Sequence, residues 1–212
     1  MLGLVLMIFA TAYAYDDHDF QVWNTDVEEF KIKPSSKIIL EEEFRFADNA
    51  NDFYYHHYDA AFVHDLSKYL NVGIGYRQVY EKKSGKFKQE NAPYGIATLF
   101  WELSGFKFDS RSRLEYRHFD YQTDSWRYRN KFNMKFPWKL TKMEIQPFFA
   151  DEILVGLNGI SLNENRFYSG LGFSLTKNIK GEIYYLLRST KNSGTCIWTD
   201  ANVLGTKFKI LF

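Results

Sequence analysis

Charged and aromatic residues alternate over residues 110–136, and this spacing indicates what chemistry the chain can carry. In the first half, Arg or Glu takes every second position, with Leu, Tyr or His between them; after a polar break at residues 120–125, Arg and Lys alternate with Trp, Tyr and Phe. Because successive side chains of a strand point to opposite faces, the pattern predicts two strands with one charged and one aromatic face. A hairpin of a transmembrane barrel fits it better than a soluble sheet, whose apolar face is mostly aliphatic.

The same alternation predicts a charged inner face along the whole chain. The residues assigned to this lumen network are Glu41, Glu43, Arg45, Arg77, Glu81, Arg111, Arg113, Glu115, Arg117, Arg127, Arg129, Lys131, Glu144, Glu152, Arg166, Glu182 and Arg188. A narrow barrel has little internal space, so these groups must pair or face water. Two interpretations stay open: an Arg–Glu network that fills and stiffens the lumen, or an anion-selective pore, since Arg outnumbers Glu over residues 111–131.

Catalytic and metal sites are weakly indicated. His57 and Asp59 share one face of a predicted strand, and small outer-membrane hydrolases combine a Ser, a His and an acidic or amide group. Nothing in the sequence resembles a nucleophile motif, so His57 and Asp59 are kept as a hydrolase alternative and no enzyme activity is predicted. No His pair at i, i+2 and no Cys cluster supports a metal site, and no cofactor is predicted.

Composition excludes several classes of protein. Aromatic residues make up 19% of the 212 residues and charged residues 25%, and a mean hydropathy of -0.39 excludes a helical multispanning protein. The formal net charge of +1 suggests no nucleic-acid partner. With one cysteine, Cys196, no intrachain disulfide can form.

The two ends of the chain carry targeting signals. Residues 1–14 combine an apolar run with a small-x-small cleavage site, which predicts a signal peptide ahead of a single domain over residues 15–212. At the other end, Phe208, Ile210 and Phe212 form the alternating terminal pattern that the barrel assembly machinery recognises in outer-membrane barrels. These signals predict the outer membrane of a Gram-negative-type bacterium as the location, with outer-membrane lipid and the assembly machinery as partners.

Eleven candidate strands follow along the chain, joined by alternately tight and loose connections. The loose ones are predicted at residues 82–93, 154–163 and 189–199. The predicted fold is all-β: a transmembrane antiparallel up-and-down barrel of ten to twelve strands, with short periplasmic turns and longer outer loops. Bacterial barrels have even strand numbers, so twelve is preferred, with residues 16–24 as an extra strand. Ten strands result if that segment lies in the lumen.

The runs LEEEFRF, FYYHHYD, GYRQVYEKK, RSRLEYRHFD, DSWRYRNK and WTDANVLGTK closely resemble a bacterial outer-membrane family that is catalogued as domain of unknown function 2490. The resemblance covers residues 19–212. It implies an outer-membrane β-barrel and carries no catalytic residues with it. The sequence thus predicts a barrel that forms a narrow or plugged pore for small anionic solutes. A non-conducting structural barrel and a lipid- or envelope-modifying hydrolase are the alternatives.

Overall fold

The computed structural model describes residues 17–192 and 194–212, which form one closed β-barrel of eleven strands. The strands are β1 (Asp19–Lys33), β2 (Ser36–Ala47), β3 (Asp52–Ser67), β4 (Leu70–Lys83), β5 (Lys86–Leu103), β6 (Phe106–Phe119), β7 (Ser125–Lys135), β8 (Gln146–Gly156), β9 (Ser161–Ser174), β10 (Ile179–Lys191) and β11 (Trp198–Leu211). No helix in these residues is long and apolar enough to cross a membrane. The predicted signal peptide at residues 1–14 lies outside the described residues.

Strands that follow each other in sequence pair antiparallel, and the barrel closes by a parallel pairing of β1 with β11. This seam extends from Asp19 opposite Ala201 to Glu29 opposite Leu211. An odd strand number requires one parallel pair, because up and down directions cannot alternate fully around the ring. The predicted all-β, mostly antiparallel barrel is therefore confirmed, whereas the preferred count of twelve is wrong. Residues 19–24 belong to β1 itself and pair with β11, so they form neither an extra strand nor a lumen segment.

The predicted difference between short and long connections holds at most, though not all, of the connections. We call the end where β1 begins the N-terminal end and the end where β11 finishes the C-terminal end. Connections at the N-terminal end are residues 48–51, 84–85, 120–124, 157–160 and 192–197, while those at the C-terminal end are 34–35, 68–69, 104–105, 136–145 and 175–178. The N-terminal set is the longer one except at residues 84–85, and the C-terminal set is short except at residues 136–145. The supposed loop at residues 82–93 is mostly strand, because positive φ at Ser84 and Gly85 allows a two-residue turn that continues the ladder.

Alternation along each strand separates two surfaces. Inside, an apolar cluster contains Trp23, Phe148, Ala150, Tyr168, Tyr184, Leu186 and Val203. Outside, each of the eleven strands exposes at least one large apolar side chain, for example Ile74 on β4, Leu114 on β6 and Leu204 on β11. The outer face is least apolar on β1 and β2, where alternation turns the carboxylates of Asp26 and Glu42 outward.

Candidate functional site: the charged barrel interior

Strand register brings opposite charges together inside the barrel. Glu115 on β6 lies opposite Arg127 on β7, and Glu152 on β8 lies between Lys131 on β7 and Arg166 on β9. Directly opposed side chains on the same face are close enough to interact. A carboxylate on one strand is thus surrounded by cations from its neighbours.

Glu115 is the first centre of the network and has no solvent-exposed surface. Its carboxylate lies 2.6 Å from Arg113 Nε, accepts a 2.5 Å hydrogen bond from Arg127 Nε and accepts another of 3.3 Å from Arg129 Nη1. Charge-assisted hydrogen bonds of this kind are stronger than neutral ones. Three guanidinium groups therefore share the negative charge of one buried carboxylate.

Glu152 is the second centre. It accepts hydrogen bonds from Arg129 Nη2 at 2.8 Å, Arg166 Nη1 at 3.3 Å and the Tyr168 hydroxyl at 3.2 Å. Since Arg129 also binds Glu115, the two centres form one continuous network across β6 to β9.

A third group of ion pairs joins β2, β3, β4 and β6. Arg77 donates to Asp59 at 2.7 Å and to Glu41 at 3.0 Å. Arg113 donates to Asp59 at 3.2 Å and lies 3.4 Å above the Tyr94 ring, whose hydroxyl donates to the same carboxylate. Because Arg113 contacts both Asp59 and Glu115, this group is continuous with the first centre.

The ring of Trp23 on β1 lies among three arginine side chains inside the barrel. The Arg45 guanidinium lies 3.6 Å from the centre of its ring, and those of Arg166 and Arg188 lie at 5.1 Å and 5.8 Å. Both of the latter also donate to Glu164, at 2.6 Å and 2.7 Å. Cation–π contacts are strongest where water is excluded, as it is around this buried ring.

A polar cavity of about 190 Å³ extends from this network toward the C-terminal end. Its cationic lining is Arg45, Arg77, Arg111, Arg129, Lys131, Lys135, Arg166 and Lys207, and its acidic lining is Glu41, Glu43, Asp109, Glu152 and Glu182. Eight cations thus face five carboxylates. Positive charge is therefore in excess among the side chains that line this cavity.

The β6–β7 connection at the N-terminal end is held by Asp124. Its carboxylate hydrogen-bonds with His118 Nδ1 at 2.9 Å and accepts bonds from the Tyr116 hydroxyl at 2.7 Å and the Phe119 amide at 3.1 Å. These hydrogen bonds, first of all the one with His118, lower the pKa of Asp124 to about 2. Asp124 is therefore ionised at neutral pH.

The predicted lumen residues, apart from Glu144, lie on the inner face. Glu144 is an exception and its assignment is wrong: it lies in the connection at residues 136–145, half exposed, and pairs with Lys139 at 2.9 Å. The cause is the start of β8, which the alternation places too early in the chain. In the structure β8 begins at Gln146, so the alternation was extended into the preceding turn.

The hydrolase candidates belong to the ion-pair network. His57 is almost completely buried and its ring hydrogen-bonds with Tyr55 and Glu41, while Asp59 binds Arg77 and Arg113. Among the described residues, no serine hydroxyl is hydrogen-bonded to either of them. The pair therefore lacks the nucleophile–base contact that a hydrolytic triad requires.

Two buried carboxylates of the network were missed from the sequence. Glu90 accepts two 2.7 Å bonds from Arg117, and Glu164 binds Arg166 and Arg188. Glu90 falls in the predicted loop at residues 82–93, and Glu164 directly follows the predicted loop at residues 154–163. The signal in the sequence is the spacing of two: Glu90, Ala92 and Tyr94 lie on the same face of a strand, and all three are inward and buried in the structure.

The predicted insertion residues Phe208, Ile210 and Phe212 lie at the end of the chain and are exposed on the outer side. The Phe212 ring stacks on Phe30 with centroids 4.7 Å apart. In residues 17–192 and 194–212 no three His, Cys, Asp or Glu side chains are arranged to hold a metal ion.

Comparison with known proteins identifies one family. The family model described as "Protein of unknown function (DUF2490)" matches residues 20–199. No curated protein and no solved structure is significantly similar to the chain.

Proposed function

The chain belongs to the DUF2490 family, as its sequence predicted, and from its geometry we propose that it is an outer-membrane β-barrel with a sealed lumen. In this proposal the protein is exported by its signal peptide, inserted by the barrel assembly machinery and held by outer-membrane lipid. Its role is that of a non-conducting membrane scaffold. The observation that carries the proposal is a buried, ion-paired interior inside an apolar outer wall.

The outer wall supports contact with lipid. Every strand exposes large apolar side chains, among them Phe62, Leu114, Phe167, Ile183 and Leu204. Soluble monomers rarely expose a continuous apolar surface beyond a few hundred Å². A belt that surrounds a whole barrel is what a lipid bilayer requires.

Aromatic clusters at two levels of the outer wall support the same conclusion. Toward the N-terminal end, the His56 ring stacks on Tyr80 at 4.8 Å and Phe53 at 5.4 Å. Toward the C-terminal end, Trp101 stacks on Phe108 at 5.5 Å, and further rings surround Phe136. Two aromatic girdles at the membrane–water interfaces are typical of transmembrane barrels.

The interior supports a sealed lumen over an open pore. Each strand contributes at least one inward side chain that is buried: Trp23, Arg45, His57, Val79, Ala92, Glu115, Arg129, Leu154, Arg166, Leu186 and Val203. A water-filled channel would leave such side chains accessible to solvent. Each charged group among them is bound to another charged group of the interior, which favours a stiffening network over a conducting ring of arginines.

We expect the purified, folded protein to give no conductance steps when it is inserted into planar bilayers. Insertion should be verified by the faster migration of unheated samples on SDS gels, and a general porin should serve as the conducting control. Stable current steps with an anion-selective reversal potential in a salt gradient, lost in Arg113→Ala and Arg129→Ala, would contradict the sealed lumen and restore the pore.

A further inference from the structure

The cavity toward the C-terminal end contains cations that the ion-pair network leaves without a full partner. Arg111 on β6 and Lys131 on β7 lie directly opposite each other. Like charges at directly opposed positions destabilise a sheet. Their juxtaposition inside the lumen therefore needs a compensating negative charge.

The described protein groups supply that charge only from a distance or from carboxylates that are bound to other cations. Lys131 makes no ion pair within 4 Å in the described part of the chain, and its ammonium lies 3.7 Å from the centre of the Tyr168 ring. The carboxylate nearest to Arg111 is Glu152, at 3.9 Å, but its oxygens already accept hydrogen bonds from Arg129, Arg166 and Tyr168. Arg111 thus has only a distant carboxylate that is already occupied, and Lys131 has none within 4 Å among the described residues.

Further lysines continue the positive charge from this cavity to the surface at the C-terminal end of the barrel. Lys207 on β11 lines the same cavity and is 3.6 Å from Glu41, which Arg77 and His57 also bind. Beyond it, the surface at the C-terminal end is lined by Lys107, Lys135, Lys139, Lys180, Lys207 and Lys209, against Glu144 and Glu182. Such a funnel attracts anions toward the inner cavity.

We propose that this cavity binds a small dianionic oxyanion of the phosphate class between Arg111 and Lys131. The guanidinium of Arg111 can donate two hydrogen bonds to two oxygens, and the Lys131 ammonium supplies the second positive charge. A dianion neutralises both cations at once, as a single chloride would not. The inference goes beyond the sealed-lumen proposal and does not rest on membrane location, because every residue involved lines the lumen.

The test is calorimetric titration of the folded wild-type protein in detergent with inorganic phosphate, against chloride at matched ionic strength. A parallel arm uses glycerol 3-phosphate, which distinguishes a free anion from a phosphomonoester headgroup as the source. We expect saturable binding in at least one phosphate arm and none with chloride. Each of Arg111→Gln and Lys131→Gln should weaken binding about tenfold, since each removes one charge-assisted contact.

Lys86→Gln, an exposed lysine beside the β4–β5 turn at the opposite end, is the matched control and should bind as the wild type does. Unheated gel mobility verifies that each variant is folded. Absence of saturable phosphate binding by the wild type, equal binding of chloride, or unchanged affinity in both cavity variants would overturn the site. None of these outcomes bears on whether the barrel lies in a membrane or conducts ions.

Discussion

Glu115→Gln should lower the free energy of unfolding of the barrel by about 3–5 kcal/mol, the usual cost of removing one partner of a buried ion pair. Glutamine keeps the shape of the side chain but removes the charge that Arg113, Arg127 and Arg129 share. The three guanidinium groups then lose the carboxylate that they share. Asp59, Glu90 and Glu152 compensate their mutual repulsion only in part. The change is measured by urea titration of the barrel folded in lipid vesicles.

Glu102→Gln is the matched control for this substitution. Glu102 is an exposed carboxylate on β5, the strand beside that of Glu115, and its removal should change stability by less than about 0.5 kcal/mol. If Glu115→Gln were as mild as the control, the buried network would contribute little to stability. That result would contradict the proposal that the ion-pair network stiffens and seals the interior.

Leu204→Arg should destabilise the barrel in a lipid bilayer by about 2–4 kcal/mol, as expected for a cation near the midplane of the lipid-facing wall. Leu204 lies near the middle of β11, points outward and is 42% exposed. On a soluble protein, the same substitution at an exposed position would change stability by about 0.5 kcal/mol or less. Because the expected change is larger in lipid than in water, the urea midpoint in vesicles shows which of the two surrounds the outer face.

Ile160→Arg provides the comparison, because Ile160 lies in the β8–β9 connection outside the strands and is highly exposed. It should have almost no effect on the same measurement. Equal and small effects of the two substitutions would indicate that water, and not lipid, covers the middle of the outer wall.

Alternation predicted the barrel and the inner face because it depends only on strand geometry. Arg113, Glu115 and Arg129 were assigned inward since side chains of a strand alternate regardless of their partners. Alternation does not say which carboxylate reaches which cation across the lumen. The contact of Asp59 with Arg113, from strands that do not pair, required the closed barrel.

Strand limits and closure were the weak points of the prediction. The polar run at residues 82–93 predicts a loop, and it ends at Pro93, which cannot donate to a ladder. In the structure Pro93 lies inside β5 at a gap in the pairing with β6, where no donor is needed, so Glu90 was lost to the predicted loop. The parallel seam between β1 and β11 joins the two ends of the sequence, and no local pattern encodes that register.

The most direct test of the account is the location and gel mobility of the protein as it occurs in cells. We predict that it sediments with outer membranes, resists extraction by high salt, and migrates faster on SDS gels when unheated than when boiled. A freely soluble, monomeric periplasmic product with no heat-dependent shift would contradict the proposal that the apolar outer face of this barrel lies in lipid.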